Sequence, residues 1–489
     1  MSAGLLVLLA LMGLAAGGVA YVDSRVRNGH RLRNYESARW ATRRDLRPLR
    51  VKGPEKGRII LGRRGRQLIA AEPQRSVIVF GPTRTSYKTT GLAIPALKEW
   101  QGPAIATSVK TDLLLGTLAE REARGEVAVF EPTGTSGHGN VRISPLSDCG
   151  TWHGALRVAH WLCTSGKTSA GGLEDSSFWY TAAERLLAPL LFAAAREHFS
   201  MAQVMTWLGQ GLAAKDKIHE ILDREGEEAA LDAWAANCGR EERHRSSVYS
   251  TAETILSAFA DPGVLKATSE PNFTVDQLLN QQGEGAKEGT LYLLAPRSEQ
   301  KRLGILFATL IAEAIAWVDN RFAEKGRPLD PALLLLLDEA ANLAPLPELP
   351  EIAATVAGEG VQLVTIFQDL AQLRGTYGRG AESIANNHAA KLFGAGLADP
   401  GTLDLVQRLT GKAEVARRSE TKAPRGSSST EGGTYLDIVP PMAVRQQRPG
   451  DAVLVYGQLP AVRLQLATRE TLPPPSGDCQ HIQRRAEHP

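Results

Sequence analysis

Seven short runs of this chain are apolar along their length: 76–81 (SVIVFG), 104–108 (AIATS), 127–131 (VAVFE), 290–295 (TLYLLA), 333–337 (LLLLL), 362–367 (QLVTIF) and 391–395 (KLFGA). None alternates apolar with polar residues, as a strand with one wet face would. Runs of this kind need cover on both faces, and in a single sheet helices supply it. Helical stretches such as GLAIPALKEW lie between the runs. The predicted fold class is therefore α/β, built on a mostly parallel sheet.

Composition narrows the field further. The 489 residues are 43% hydrophobic and 22% charged, which excludes a disordered or fibrous chain and leaves room for two or three domains. A net charge of +3 does not by itself point to nucleic acid. Cys149, Cys163, Cys238 and Cys479 lie far apart without a CxxC pair, against a disulfide scaffold or zinc ribbon. Between 151 and 268 the strand-like runs vanish and helix formers dominate. Trp152, Trp161, Trp179, Trp207 and Trp234 fall here and are expected to build the core of an all-α insert. The polar stretch 417–433 reads as a loop, and 471–489 as a flexible tail.

Residues 2–22 carry no charge. As a helix rising ~1.5 Å per residue they would extend about 31 Å, the thickness of a hydrocarbon core. Arg25, Arg27, Arg31, Arg33, Arg39, Arg43, Arg44, Arg47 and Arg50 follow, set against Asp23, Glu36 and Asp45. The positive-inside rule then places the body in the cytoplasm on a single-pass anchor in the inner membrane. A cleaved signal peptide is the alternative. It is disfavoured because no basic residue precedes the apolar run and the arginines after it resist export. The stretches 303–318, which holds Glu313, and 186–195 are expected to be buried helices. The expected organisation is a transmembrane helix at 2–22, a basic juxtamembrane segment at 23–68, an α/β domain in two parts at 69–150 and 269–470, the helical insert at 151–268, and the tail.

The strand SVIVFG runs into Gly81, Pro82, Thr83, Arg84, Thr85, Ser86, Tyr87, Lys88, Thr89 and Thr90, and then into a helix. Strand, loop, Lys-Thr and helix are the context of a phosphate loop. Its N–H groups cradle phosphates, Lys88 meets the β/γ charge and Thr89 holds Mg²⁺. The spacing differs from GxxxxGK[ST]: Lys88 falls seven residues after Gly81 rather than six. Counted from Pro82 the register is restored, with Tyr87 in the place of the second glycine. A tyrosine there is expected to take positive φ at a cost of about 1–2 kcal/mol.

Two further elements join it. The five leucines 333–337 end at Asp338-Glu339, the pattern of a Walker B strand. Asp338 would orient Mg²⁺ and Glu339 would polarise the attacking water. The strand QLVTIF ends at Gln368, placed to sense the γ-phosphate or the attacking water. The order phosphate loop, Asp-Glu, Gln is that of RecA-like motor ATPases. Lys110 and Asp112 end a strand at the same edge and face the nucleotide, a neighbouring subunit or solvent. Arg374 and Arg379 are candidate trans arginine fingers, though an exposed arginine without that role is the plainer alternative. His388 is read as structural, since no second metal ligand stands at helical spacing from it.

These residues resemble the conjugative coupling proteins of type IV secretion (TraG/TraD type), particularly actinobacterial members. The stretches that carry the resemblance are ARWATRRDL at 38–46, IAAEPQRSVIVFGPTRTSYKTTGLAIPALKEWQGPAIATSVKTDLL at 69–114, VAVFEPTG, and LLLLLDEAANLAPLPELPEIAATVAGEGVQLVTIFQDLAQLRGTYG at 333–378, followed by NNHAAKLFGAGLADPGTLDL. The resemblance implies a membrane-anchored, RecA-like P-loop ATPase with an inserted all-α domain that docks cargo. It further implies ATP and Mg²⁺ as cofactors and a homo-hexamer. Its partners would be single-stranded DNA, relaxase or relaxosome proteins, and type IV secretion channel components.

Two departures stand out. One span is visible where family members often carry a two-helix hairpin. The phosphate loop also lacks the form GPTxSGKT, which bears on hydrolysis more than on nucleotide binding. Two alternatives stand: a non-hydrolysing, membrane-tethered adaptor, motivated by the glycine-poor loop, and, within the motor class, an FtsK-like DNA pump or type VII secretion ATPase.

Overall fold

The computed structural model describes residues 37–169, 177–280, 288–423 and 426–466. The expected membrane span at 2–22, the first part of the basic segment and the tail from 471 lie outside these residues.

Three short strands come first: β1 (Arg50–Val51), β2 (Ile60–Arg64) and β3 (Gln67–Ala70). Next are β4 (Val77–Phe80), β5 (Ala104–Ser108), β6 (Val127–Phe130), β7 (Thr290–Leu294), β8 (Leu333–Leu337), β9 (Val361–Phe367) and β10 (Ala390–Gly394). A separate hairpin follows, β11 (Lys412–Ala423) with β12 (Gly426–Asp437), and then the pair β13 (Asp451–Tyr456) and β14 (Leu459–Gln465). All but the hairpin join one sheet in the order β1-β3-β2-β14-β13-β10-β4-β9-β8-β5-β7-β6.

Each of the seven apolar runs is a strand, and together they form the parallel part of the sheet, from β10 to β6. Their uniform composition has a direct cause. Leu333, Leu335 and Leu337 enter one core with Ile78, Phe80 and Phe367. Leu334 and Leu336 enter the opposite core with Val77, Val79 and Ile366. Either parity of side chain is therefore buried, and each such leucine contributes about 1.5–3 kcal/mol.

The antiparallel edge is a different matter. The described part of the segment 23–68 adds β1, β2 and the start of β3 to the sheet. Arg58 fastens it there by donating to the carbonyls of Ala71 (2.9 Å) and Pro48 (2.9 Å). The polar stretch 417–433 is not an irregular loop: it lies in the β11–β12 hairpin, paired from Lys412↔Asp437 to Ala423↔Gly426.

Between β6 and β7 the chain is helical, with long helices at Trp152–Ser169, Ser177–Arg196 and Glu242–Ile255. Trp207 and Trp234 are buried, while Trp152, Trp161 and Trp179 are partly buried against the same core. The helix Gln300–Lys325 is the one helix among the described residues long and apolar enough to cross a membrane, yet 67% of its most apolar window is buried inside the protein. Burial drives its Glu313 carboxyl up to about 7.

Arg121 closes the far end of the sheet. Fully buried, it donates to Thr290 Oγ1 (2.6 Å) and to the carbonyls of Trp100 (2.8 Å), Gly102 (2.8 Å) and Glu288 (3.1 Å). Arg121→Lys keeps the charge but loses the planar fork, leaving carbonyls without donors. Urea denaturation is expected to show a loss of about 2 kcal/mol.

Candidate functional site

β9 lies between β4 and β8, and all three are parallel, so their C-terminal ends open on one edge. The loop 81–90 leaves β4, Asp338 and Glu339 leave β8, and Gln368 leaves β9.

The loop is built by close packing. Ser86 is buried and folds back so that its Oγ donates to the Pro82 carbonyl at 2.7 Å. A Cβ at Gly81 would lie 2.5 Å from Ser86 Cβ, so only glycine fits there. Behind the loop, a Cβ on Gly394 would stand 2.7 Å from the same atom. Thr85 donates to the Ala395 carbonyl at 3.2 Å. Thr83, Arg84 and Thr85 are exposed, and Arg84 is left-handed at φ 75°. Tyr87 has φ 48°, the conformation expected for the position of the missing glycine. The helix after it starts with a wide π-type turn over Thr89–Ala93, with Thr90 exposed, before the regular turns of Ile94–Glu99.

Charged groups then meet across the edge. The buried Lys88 ammonium sits 3.1 Å from Glu339 Oε1. Gln368 Nε2 donates to the other Glu339 oxygen at 3.3 Å. Thr89 Oγ1 donates to Asp338 Oδ2 at 3.1 Å. Glu339 holds the left-handed conformation, φ 56° and ψ 45°, which turns its carboxylate back toward the loop. Thr107 fixes the Asp338 backbone by donating to its carbonyl at 2.9 Å.

Asp338 is the desolvated member. Its Oδ1 is buried and meets no hydrogen-bond donor. Burial pushes its pKa up to about 6, with Glu339 and Asp112 adding to the rise while Lys88 and the Thr89 hydroxyl oppose it. An unpartnered carboxylate oxygen beside a hydroxyl is a donor set for a hard cation. Among the described residues no group of three His, Cys, Asp or Glu side chains is placed to hold a metal. A cation here would take few protein ligands, as Mg²⁺ does when phosphate and water complete its shell.

Lys110 and Asp112 open the helix Thr111–Glu122, both exposed, and Asp112 lies close enough to act on Asp338. Arg374 is engaged with Glu382 at 2.8 Å, and Arg379 is exposed at the start of Gly380–Asn387. His388 is a buried structural group: Nε2 meets Thr365 Oγ1 at 3.0 Å and Nδ1 meets the Ile384 carbonyl at 2.7 Å. Burial lowers its pKa to about 4. Sequence reasoning passed over Thr107, Gly394 and Gly396, the last at φ 86° and packed so that a Cβ would stand 2.7 Å from Thr85 Oγ1. The GAG at the end of KLFGAG was the available signal for the two glycines.

A parallel sheet whose central strand feeds a Lys-Thr loop, with an Asp-Glu pair and a glutamine from the next strands, defines a P-loop NTPase. The chain belongs to the family described as type IV secretory system conjugative DNA transfer, whose family model matches residues 32–435. The conjugal transfer protein TraG of Escherichia coli is 26% identical over 392 residues, covering 75% of this chain and 60% of TraG. VirD4 of Agrobacterium fabrum is 26% identical over 424 residues, covering 79% of this chain and 58% of VirD4. The chain thus spans about 60% of the length of the curated relatives it matches. In fold it is similar to the plasmid coupling protein TrwB in complex with ADP and Mg²⁺, with a TM-score of 0.64 and 17% identity over 89% of this chain and 94% of TrwB. The TrwB complex with a non-hydrolysable ATP analogue gives a TM-score of 0.63 and 18% identity over 89% and 95%.

Proposed function

We propose that this protein is a membrane-anchored ATPase that couples ATP turnover to the recruitment and passage of DNA, as a relaxase-bound single strand, or of protein substrates into a type IV secretion channel. One observation carries the nucleotide part: Lys88, Glu339 and Gln368 are joined in one polar network, and the Thr89–Asp338 pair lies beside it. Membership of the conjugative DNA transfer family supports the transport part. The uncharged run at 2–22 and the arginines after it support the inner-membrane anchor. Assembly as a hexamer and contact with relaxosome and channel proteins belong to the same proposal, on family resemblance.

ATP and Mg²⁺ are the cofactors, and the residues present fit them. Thr89 and Asp338 would hold the ion, which when bound neutralises phosphate charge. Lys88 exchanges its carboxylate partner for phosphate, and that exchange frees Glu339. Glu339 then accepts a proton from the attacking water, and Gln368, already its hydrogen-bond partner, orients that water.

Tyr87 in the glycine position favours a second reading, the adaptor that binds nucleotide without turning it over. The FtsK-like or type VII alternative has less support, since the family match runs through 32–435. Phosphate release by the purified full chain, with and without single-stranded DNA, separates the first two. The motor predicts turnover that DNA raises and that Lys88→Ala removes. Equal rates for wild type and Lys88→Ala under both conditions overturn it in favour of the adaptor.

A further inference from the structure

Phosphate binding has no use for an aromatic ring at the second glycine position, yet Tyr87 holds one there. The residue accepts φ 48° and stays 44% exposed, so neither backbone ease nor core burial explains it. The ring is not loose. It lies against Gly450, where a Cβ would come within 3.0 Å of Cδ2 and 3.4 Å of Cε2. Gly450 is in turn tied to the loop, its N–H donating to the Thr85 carbonyl at 3.3 Å, and its own carbonyl accepts from Leu466 N at 2.8 Å.

The direction of the ring matters more than its exposure. β4 has β9 and β8 on one side and β10 and β13 on the other. Asp338, Glu339 and Gln368 all stand on the β8–β9 side, which draws the γ-phosphate end of a nucleotide there. The nucleoside end must leave toward β10 and β13. Gly450 immediately precedes β13, so the Tyr87 ring lies on that exit path.

We propose that Tyr87, backed by Gly450, is the platform on which the base of a purine nucleotide stacks. This rests on the nucleotide site proposed above. A ring offers a face that any purine can cover, so the platform adds affinity without selecting between adenine and guanine. It restores binding that the loop forgoes by giving up glycine.

The test compares ADP with inorganic tripolyphosphate, which has the charge but no base, on the full chain by equilibrium binding. Tyr87→Ala is expected to weaken ADP binding about 10- to 100-fold more than it weakens tripolyphosphate binding. Tyr87→Phe keeps the face and is expected to keep wild-type affinity for both. ADP binding unaffected by Tyr87→Ala overturns the platform. So does an equal loss for ADP and tripolyphosphate, since the ring then only shapes the loop. A wild-type protein that binds neither ligand overturns the nucleotide site itself, and the platform with it.

Discussion

Glu339→Gln is expected to lower ATP turnover about 10²–10⁴-fold, the usual worth of a positioned general base, while nucleotide affinity holds or improves. The substitution preserves side-chain length and leaves an amide oxygen to accept from Gln368 Nε2, so the geometry of the turn after β8 survives. What it removes is proton-accepting capacity and the ionic hold on Lys88. In the wild type that hold competes with phosphate for the ammonium. Its loss frees Lys88, and binding measured with a non-hydrolysable analogue is expected to be no weaker. Phosphate-release and binding assays on one preparation read both effects. Unchanged turnover would move the base role away from Glu339; affinity falling in step with turnover would make it a binding residue instead.

The pairing behind that prediction shows what a sequence of this kind reveals and what it hides. The residue types of the site are legible because each follows a strand whose two faces feed two cores, as Leu333–Leu337 do. Uniformly apolar strands mark themselves, and their parallel order brings their C-terminal ends to one edge. The antiparallel strands do not stand out in the same way. β2 ends in Arg63 and Arg64, and β14 carries Arg463 and Gln465, so polar positions break the run. β13 (DAVLVY) is as apolar as the parallel strands and was legible in principle. The β11–β12 hairpin is rich in Ser, Thr and Gly, with no apolar periodicity to betray a strand. The left-handed Tyr87 was legible from spacing alone, since a loop of that length needs positive φ where glycine would stand. The Lys88–Glu339 contact was not. It joins residues 251 positions apart and depends on the left-handed turn at Glu339, which no local pattern announces.

Asp338 yields the second large effect, with opposite signs for fold and function. Its folded-state pKa is raised from 3.8 to about 6, chiefly by burial. Between those values the folded protein binds more protons than the unfolded chain, so stability falls as pH rises through the window, and the loss is complete by pH 7. A shift of that size corresponds to about 3 kcal/mol at neutral pH. Asp338→Asn has no charge to desolvate and keeps an oxygen for the Thr89 hydroxyl. The ligand-free variant is therefore expected to melt a few degrees above wild type at pH 7, with the difference disappearing near pH 4. Adding Mg²⁺ and an ATP analogue reverses the order. Ligand at about 1,000 times its Kd stabilises the wild type by about 4.1 kcal/mol, more than the deficit, and the variant, lacking the carboxylate for the ion, gains far less. Thermal melts at two pH values, with and without Mg²⁺ and analogue, measure all four states. A variant no more stable than wild type without ligand would mean that the Asp338 charge is not held at a cost. The buried oxygen without a donor is then no argument for a cation ligand, and the assignment of Asp338 to Mg²⁺ loses its physical basis.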